Sequence, residues 1–182
     1  MSDFVFELSA AEKEYLKEVA LLSIRSGFGK GTAFPEPPTP KLEEKLGAFV
    51  TLKKGQRLRG CIGNIIGEGP LWKTIIKMAA QAAFNDPRFP PLKQEELDLV
   101  SLEISILSPL LILSDPDKIK PGRDGLLIRR NGATGLLLPQ VATEWGWDRE
   151  TFLGQTCRKA GLPQNCWKEP DTEIYWFQAV VF

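Results

Sequence analysis

One order of elements can be read twice along this chain: two apolar-rich runs joined by a tight turn, then a helix, then a run with strand alternation. In the first copy, residues 48 to 52, AFVTL, and 57 to 65, RLRGCIGNI, flank the turn KKGQR and predict a hairpin. Pro70 then opens PLWKTIIKMAAQAAF, where Lys73, Lys77 and Gln81 recur every four residues on an otherwise apolar surface, the pattern of a mostly buried helix. In LVSLEISIL, Val100, Leu102, Ile104 and Ile106 alternate with Ser101, Glu103 and Ser105, as in an antiparallel sheet with one covered face. In the second copy, GLLIRRNGATGLLL, residues 125 to 138, turns at Asn131-Gly132. Asp148 caps a helix with Phe152, Leu153, Thr156, Cys157 and Ala160 on one face, Gly161 and Pro163 end it, and TEIYWFQAVVF closes the chain as a strand. Corresponding elements are offset by roughly 75 residues, a spacing that calls for an internal-repeat reading. The expectation is an α+β fold of two β-β-α-β-like units arising by internal duplication, with antiparallel sheets flanked by helices and forming two subdomains. A single domain would then cover residues 1–182, with approximate halves 1–110 and 111–182.

Before the first copy, Ser9 and Glu12 stand at capping-box spacing and start a helix carrying Tyr15, Leu16, Val19, Leu22 and Ile24 at helical intervals. Residues 28 to 40, FGKGTAFPEPPTP, read as an ordered surface loop or partly extended linker, followed by a short helix with Thr39 as cap and Pro40 in its first turn.

Composition narrows the chemistry. Over 182 residues, 23 basic and 23 acidic side chains cancel, removing the broad attraction expected of nucleic-acid or anionic-membrane binders. No apolar run reaches a membrane span, and the acids near the N-terminus do not fit a signal peptide, so a cytoplasmic protein is expected. The absence of histidine removes the usual general base and the commonest zinc ligand. Without a CxxC pair no metal site is expected, and no cofactor is indicated. Three cysteines with no paired spacing argue against a disulfide framework; Cys157 and Cys166 read as structural residues.

The residues that invite a chemical reading cluster in RLRGCIGNI. In an extended strand, Arg59 and Cys61 project from one side, and a guanidinium beside a thiol favours the thiolate, so both are candidate catalytic residues. Gly60 and Gly63 permit a bulge or a close backbone approach by a ligand, and with Asn64 they are candidate binding residues. The alternative is plain packing, since free cysteine behaves as a small buried apolar residue. The helix start at Pro70 offers a weak anion site or a tight turn. In FNDPRFPPL, Asp86 and Arg88 place a carboxylate and a guanidinium on a loop; they are candidate binding residues, although helix termination accounts for most of the segment. In LLPQVATEWGW, Gln140 is a candidate binding residue and Glu144 a candidate acid or base, beside two tryptophans that fit a core equally well.

Taken together, LRGCIGNI, DPRFPPL, EISILSP, DGLLI, GLLLPQVATEWGW and the C-terminal FL..TCRKAGL...CW resemble the AMMECR family over nearly the whole chain. The resemblance implies a two-subdomain α+β fold and marks Leu58 to Gly63 as the family's signature segment, suspected of catalysis or binding. It also implies Memo-like or radical-SAM proteins as partners. The functional expectation is an enzyme or enzyme subunit using the Arg59/Cys61 segment on a small molecule or modified macromolecule; the alternative is a non-catalytic adaptor or regulatory protein-binding domain.

Overall fold

The computed structural model describes residues 7–29, 31 and 33–182, an α+β protein with two four-stranded sheets whose pairings are antiparallel. Residues 1–6, used above in the signal-peptide reading, and Lys30 and Thr32 of the proline-rich loop lie outside the described residues.

In the first unit, the Ser9 hydroxyl accepts from the Glu12 amide at 3.2 Å and the Glu12 carboxylate accepts from the Ser9 amide at 2.7 Å, so the capping box starts α1 (Ala10–Ser26) as its spacing requires. β1 (Gly47–Lys54) and β2 (Arg57–Asn64) form the hairpin, and α2 (Leu71–Phe84) follows. β3 (Val100–Leu107) then pairs with β1 rather than with β2. The face carrying Ala48, Val50, Leu52, Ile104 and Ile106 is fully buried, and the helices lie on that side. α1 is tied to α2 by the Ser23 hydroxyl, which donates to the Ile76 carbonyl at 2.7 Å.

The second unit contains β4 (Leu111–Ile112), β5 (Gly125–Arg130), β6 (Ala133–Leu137), α3 (Pro139–Glu144), α4 (Arg149–Lys159) and β7 (Glu173–Phe177). Its hairpin turns at Asn131 and Gly132, both at positive φ (49° and 81°), as a two-residue turn of this kind demands. β7 pairs with β5, just as β3 pairs with β1. Hairpin, helix, and a third strand beside the hairpin's first therefore occur in both units. A glycine marks the correspondence. A Cβ on Gly60 would lie 2.1 Å from the Ala82 carbonyl oxygen of α2, and one on Gly135 would lie 2.7 Å from the Thr156 carbonyl oxygen of α4. In each unit the helix seats against the second hairpin strand at a point where no side chain fits.

Two features differ from the sequence reading. The closing run TEIYWFQAVVF is not one strand: it is interrupted at Gln178, and the last part, β8 (Ala179–Val181), joins the first sheet, whose order is β2-β1-β3-β8, while the second is β4-β7-β5-β6. The break is held by a reciprocal pair, the Ser108 amide donating to the Gln178 carbonyl and the Gln178 amide to the Ser108 hydroxyl, both at 2.9 Å. The compact units accordingly comprise Glu7–Leu107 with Val180–Phe182, and Ser108–Ala179. The second difference is covalent. Cys157 and Cys166 form a disulfide, against the expectation of unpaired cysteines; both are buried, within the core made with Phe152, Leu153 and Leu126. Cys157 lies on α4 and Cys166 nine residues later, and the turn at Gly161 folds the chain back to bring them together.

Candidate functional site

In the first sheet β2 is an edge strand, and an edge strand presents unpaired backbone groups that must find partners. At Cys61 both groups find them in the connection after α2. The Cys61 amide donates to Asp86 Oδ2 at 2.8 Å, and Arg88 Nη2 donates to the Cys61 carbonyl oxygen at 3.1 Å. Asp86 and Arg88 are locked to each other by Nε to Oδ1 at 3.0 Å and Nη2 to Oδ2 at 2.7 Å, with the Arg88 amide adding a bond to Oδ1 at 3.1 Å. The Asp86 carboxylate is buried, whereas the Arg88 side chain is 54% exposed. These donors, led by the Arg88 guanidinium, hold the Asp86 carboxyl well below the usual carboxylate range despite its burial. The same contact raises Arg88, and the nearby Cys61 adds to that shift.

The hairpin register explains where the neighbouring side chains go. Leu52 faces Gly60 but Lys53 faces Leu58, so Arg59 is the extra residue of a β-bulge. Strict alternation put Arg59 and Cys61 on one side; the bulge breaks that alternation, correcting the expected pairing of guanidinium and thiol. Arg59 is 9% exposed and turns to Glu96, with Nε to Oε1 at 3.1 Å and Nη2 to Oε2 at 2.9 Å, and to the Pro91 carbonyl at 3.3 Å. The Arg59 fork pulls the Glu96 carboxyl down to about 2. Arg59 is thus engaged by an internal carboxylate and is not presented to a ligand.

Cys61 occupies the sheet face opposite the helices, because Gly60 takes the position against α2. Its cross-strand neighbour is Thr51, whose hydroxyl donates to Cys61 Sγ at 3.2 Å. Glu103 follows Thr51 in the next strand and is paired with Lys53 at 2.8 Å. Cys61 is the free cysteine of the three and is partly exposed. Gly63 lies beneath the Phe49 ring, where a Cβ would come within 2.3 Å of the aromatic edge; its small size serves that overlap. Asn64 ends β2 opposite Ala48, on the helix side.

Of the sequence candidates, the fold therefore gathers Arg59, Gly60, Cys61, Gly63, Asp86 and Arg88 around one strand. Gln140 and Glu144 belong to α3 of the second unit and form no part of this constellation; Glu144 is exposed. Three participants escaped the sequence reading: Thr51, Glu96 and Pro91. Thr51 had a usable signal in its hairpin position opposite Cys61. Glu96 sits in the acidic run QEELDL, where nothing distinguishes it from Glu95.

Comparison with known proteins agrees on the scaffold. The AMMECR1 family profile matches residues 17–182. A protein of Thermococcus gammatolerans is 46% identical over 181 residues, covering 93% of this chain and 88% of that one. A Pyrococcus furiosus protein is 47% identical over 182 residues, covering 93% and 86% respectively. The crystal structure of an uncharacterised protein from Pyrococcus horikoshii superposes with a TM-score of 0.85 at 42% identity, covering 97% of this chain and 93% of that chain.

Proposed function

Because the chain belongs to the AMMECR1 family, we propose that its signature segment is a working site in an enzyme or enzyme subunit, with the Cys61 sulfur as nucleophile or contact atom for a small molecule or modified macromolecule. The observation that carries this reading is the clamp on Cys61. A buried carboxylate and a guanidinium fix the peptide on both sides, while the sulfur is left partly exposed on the far face and receives a hydroxyl hydrogen bond. Packing alone does not require a partly exposed thiol whose backbone is clamped on both sides. The cation suited to an anionic group on the ligand is Arg88, which keeps over half of its side chain in solvent, and not Arg59. With no histidine in the chain, the Thr51 hydroxyl that donates to Cys61 Sγ is the polar side chain on the sulfur.

Iodoacetamide tests the reading directly. The Cys61 thiolate displaces iodide to form a C–S bond, and the thiol proton passes to solvent. The disulfide occupies the other two cysteines, so a single adduct reports Cys61. Folded protein should take up one carbamidomethyl group, and Cys61→Ser should take up none. A thiol that reacts only after unfolding points to packing and favours the second reading, a protein-binding adaptor. The observation on its side is Leu58, 41% exposed in the same signature segment. Memo-like and radical-SAM proteins are the partners to try under either reading.

A further inference from the structure

The start of α2 lacks a cap of its own. Pro70 in the N-cap position has no side-chain acceptor, so the first turn depends on other groups. The Leu71 amide is satisfied by the Glu44 carbonyl at 3.0 Å and the Thr74 amide by the Pro70 carbonyl at 2.9 Å, which leaves the Trp72 and Lys73 amides without a partner among the described residues. A helix start with two free N–H groups carries a partial positive charge. A second, independent feature lies beside it. Thr74 is 7% exposed, yet its hydroxyl makes no hydrogen bond among the described residues, not even the usual return to the carbonyl one turn back. The hydroxyl is not sealed away either, and Thr74 lines a cavity of about 240 Å³ with Asn64, Gly69, Pro70, Lys73 and Lys77.

We infer that this cavity between the end of β2 and the first two turns of α2 binds a phosphoryl group. The Thr74 hydroxyl and the Trp72 and Lys73 amides supply directed donors, Asn64 adds a side-chain amide with no partner among the described residues, and Lys73 and Lys77 supply charge. Glu68, also on the rim, opposes an anion, but its carboxylate is drawn to Lys77 at 3.6 Å, and that exposed pair can open so that Lys77 turns to the ligand. The volume is below the roughly 300–1,000 Å³ of drug-sized pockets, which suits a phosphate or a small phosphate ester rather than a nucleotide. Asn64 pairs with Ala48 on the helix side of the sheet, so this pocket is separate from Cys61 and the inference does not depend on its chemistry.

The test is a titration of ¹⁵N-labelled protein at constant ionic strength, following the Trp72, Lys73 and Thr74 amides. Inorganic phosphate should shift them saturably, and acetate should do so more weakly. Thr74→Val keeps the shape of the side chain and should weaken phosphate binding about tenfold, the worth of one charge-assisted hydrogen bond, with an unchanged unfolding midpoint in chloride. Lys73→Ala should weaken it a few-fold. Glycerol 2-phosphate binding more tightly than inorganic phosphate identifies an ester as the occupant, and the reverse identifies the free ion; either supports the site. Shifts that stay linear in phosphate, or a Thr74→Val protein that binds as well as the parent, would overturn it.

Discussion

The two units solve one packing problem and then secure it differently. In both, a hairpin's second strand offers a glycine to the following helix, and the third strand returns beside the first. The connections from helix to third strand diverge. After α2 the chain reaches outward and clasps the edge of β2 through Asp86, Arg88 and Glu96. After α4 it folds inward and is fastened to its own helix by the Cys157–Cys166 disulfide, with the Thr172 hydroxyl on the Cys166 carbonyl at 2.6 Å. Where the first unit has Arg59 and Cys61 beside its glycine, the second has Thr134 and Leu136. A thiol and a guanidinium are therefore not requirements of the scaffold. The polar clamp is what the first unit adds to a frame that stands without it.

Removing each fastening should affect one unit and spare the other. The largest effect is expected from Asp86→Ala, which strips acceptors from the Cys61 amide and from Arg88. It should lower stability by about 3 kcal/mol in urea unfolding. A loss no greater than that of a surface acid such as Glu95→Ala, within about 0.5 kcal/mol, would mean that the clamp does not hold the edge. The double variant Cys157→Ser with Cys166→Ser should lose about 2.5 kcal/mol, as expected for a short closed loop, while amide exchange at Cys61 stays unchanged. Exchange that rises equally in both units would erase the distinction.

Gly60→Ala and Gly135→Ala sharpen the likeness instead. Each sets a methyl group against helix backbone and should cost about 2 kcal/mol by overpacking, with similar values at the two sites. A tolerated methyl at one of them would show that the two helices are seated differently. The remaining effect is acid sensitivity. Glu96 has its carboxyl drawn from an ordinary 4.5 to about 2 by Arg59, and Asp86 is lowered as well, so both are more readily ionised folded than unfolded. Their contribution is complete above the unfolded pKa and is lost as pH falls from about 4.5 toward 2. Urea midpoints measured down this range should decline, and Glu96→Gln should flatten part of the decline. An unaltered slope in that variant would remove Glu96 from the clamp.

How much of this was legible beforehand depended on the range of the interaction. Hairpins, helices and the repeated order follow from local alternation, caps and turns, and they stand where the residues put them. Ser9 and Glu12 cap, and Asn131-Gly132 turns. The LRGCIG and DPRFPPL segments were both singled out, yet nothing in either says that Asp86 closes on the Cys61 amide, because that contact spans 25 residues. The position of Arg59 was misjudged because strict alternation assumes an unbroken ladder. Gly60 signalled that a bulge was permitted but not that one was made. The disulfide was missed for a related reason: a spacing of nine becomes a bond only once the turn after α4 brings the sulfurs together.

The placement of β8 sets an order of assembly. β1 to β3 have all been synthesised by Leu107, yet the strand that covers the outer edge of β3 is made only after the whole of the second unit. At ordinary rates of translation the ribosome needs roughly 4–15 s to traverse the second unit in between. For that interval the nascent first sheet carries a bare edge at β3, the kind of surface that pairs with other chains. A chain cut short after Phe177 would keep that edge bare permanently, so Ala179–Val181 act as a built-in chaperone for a sheet whose other strands were finished long before.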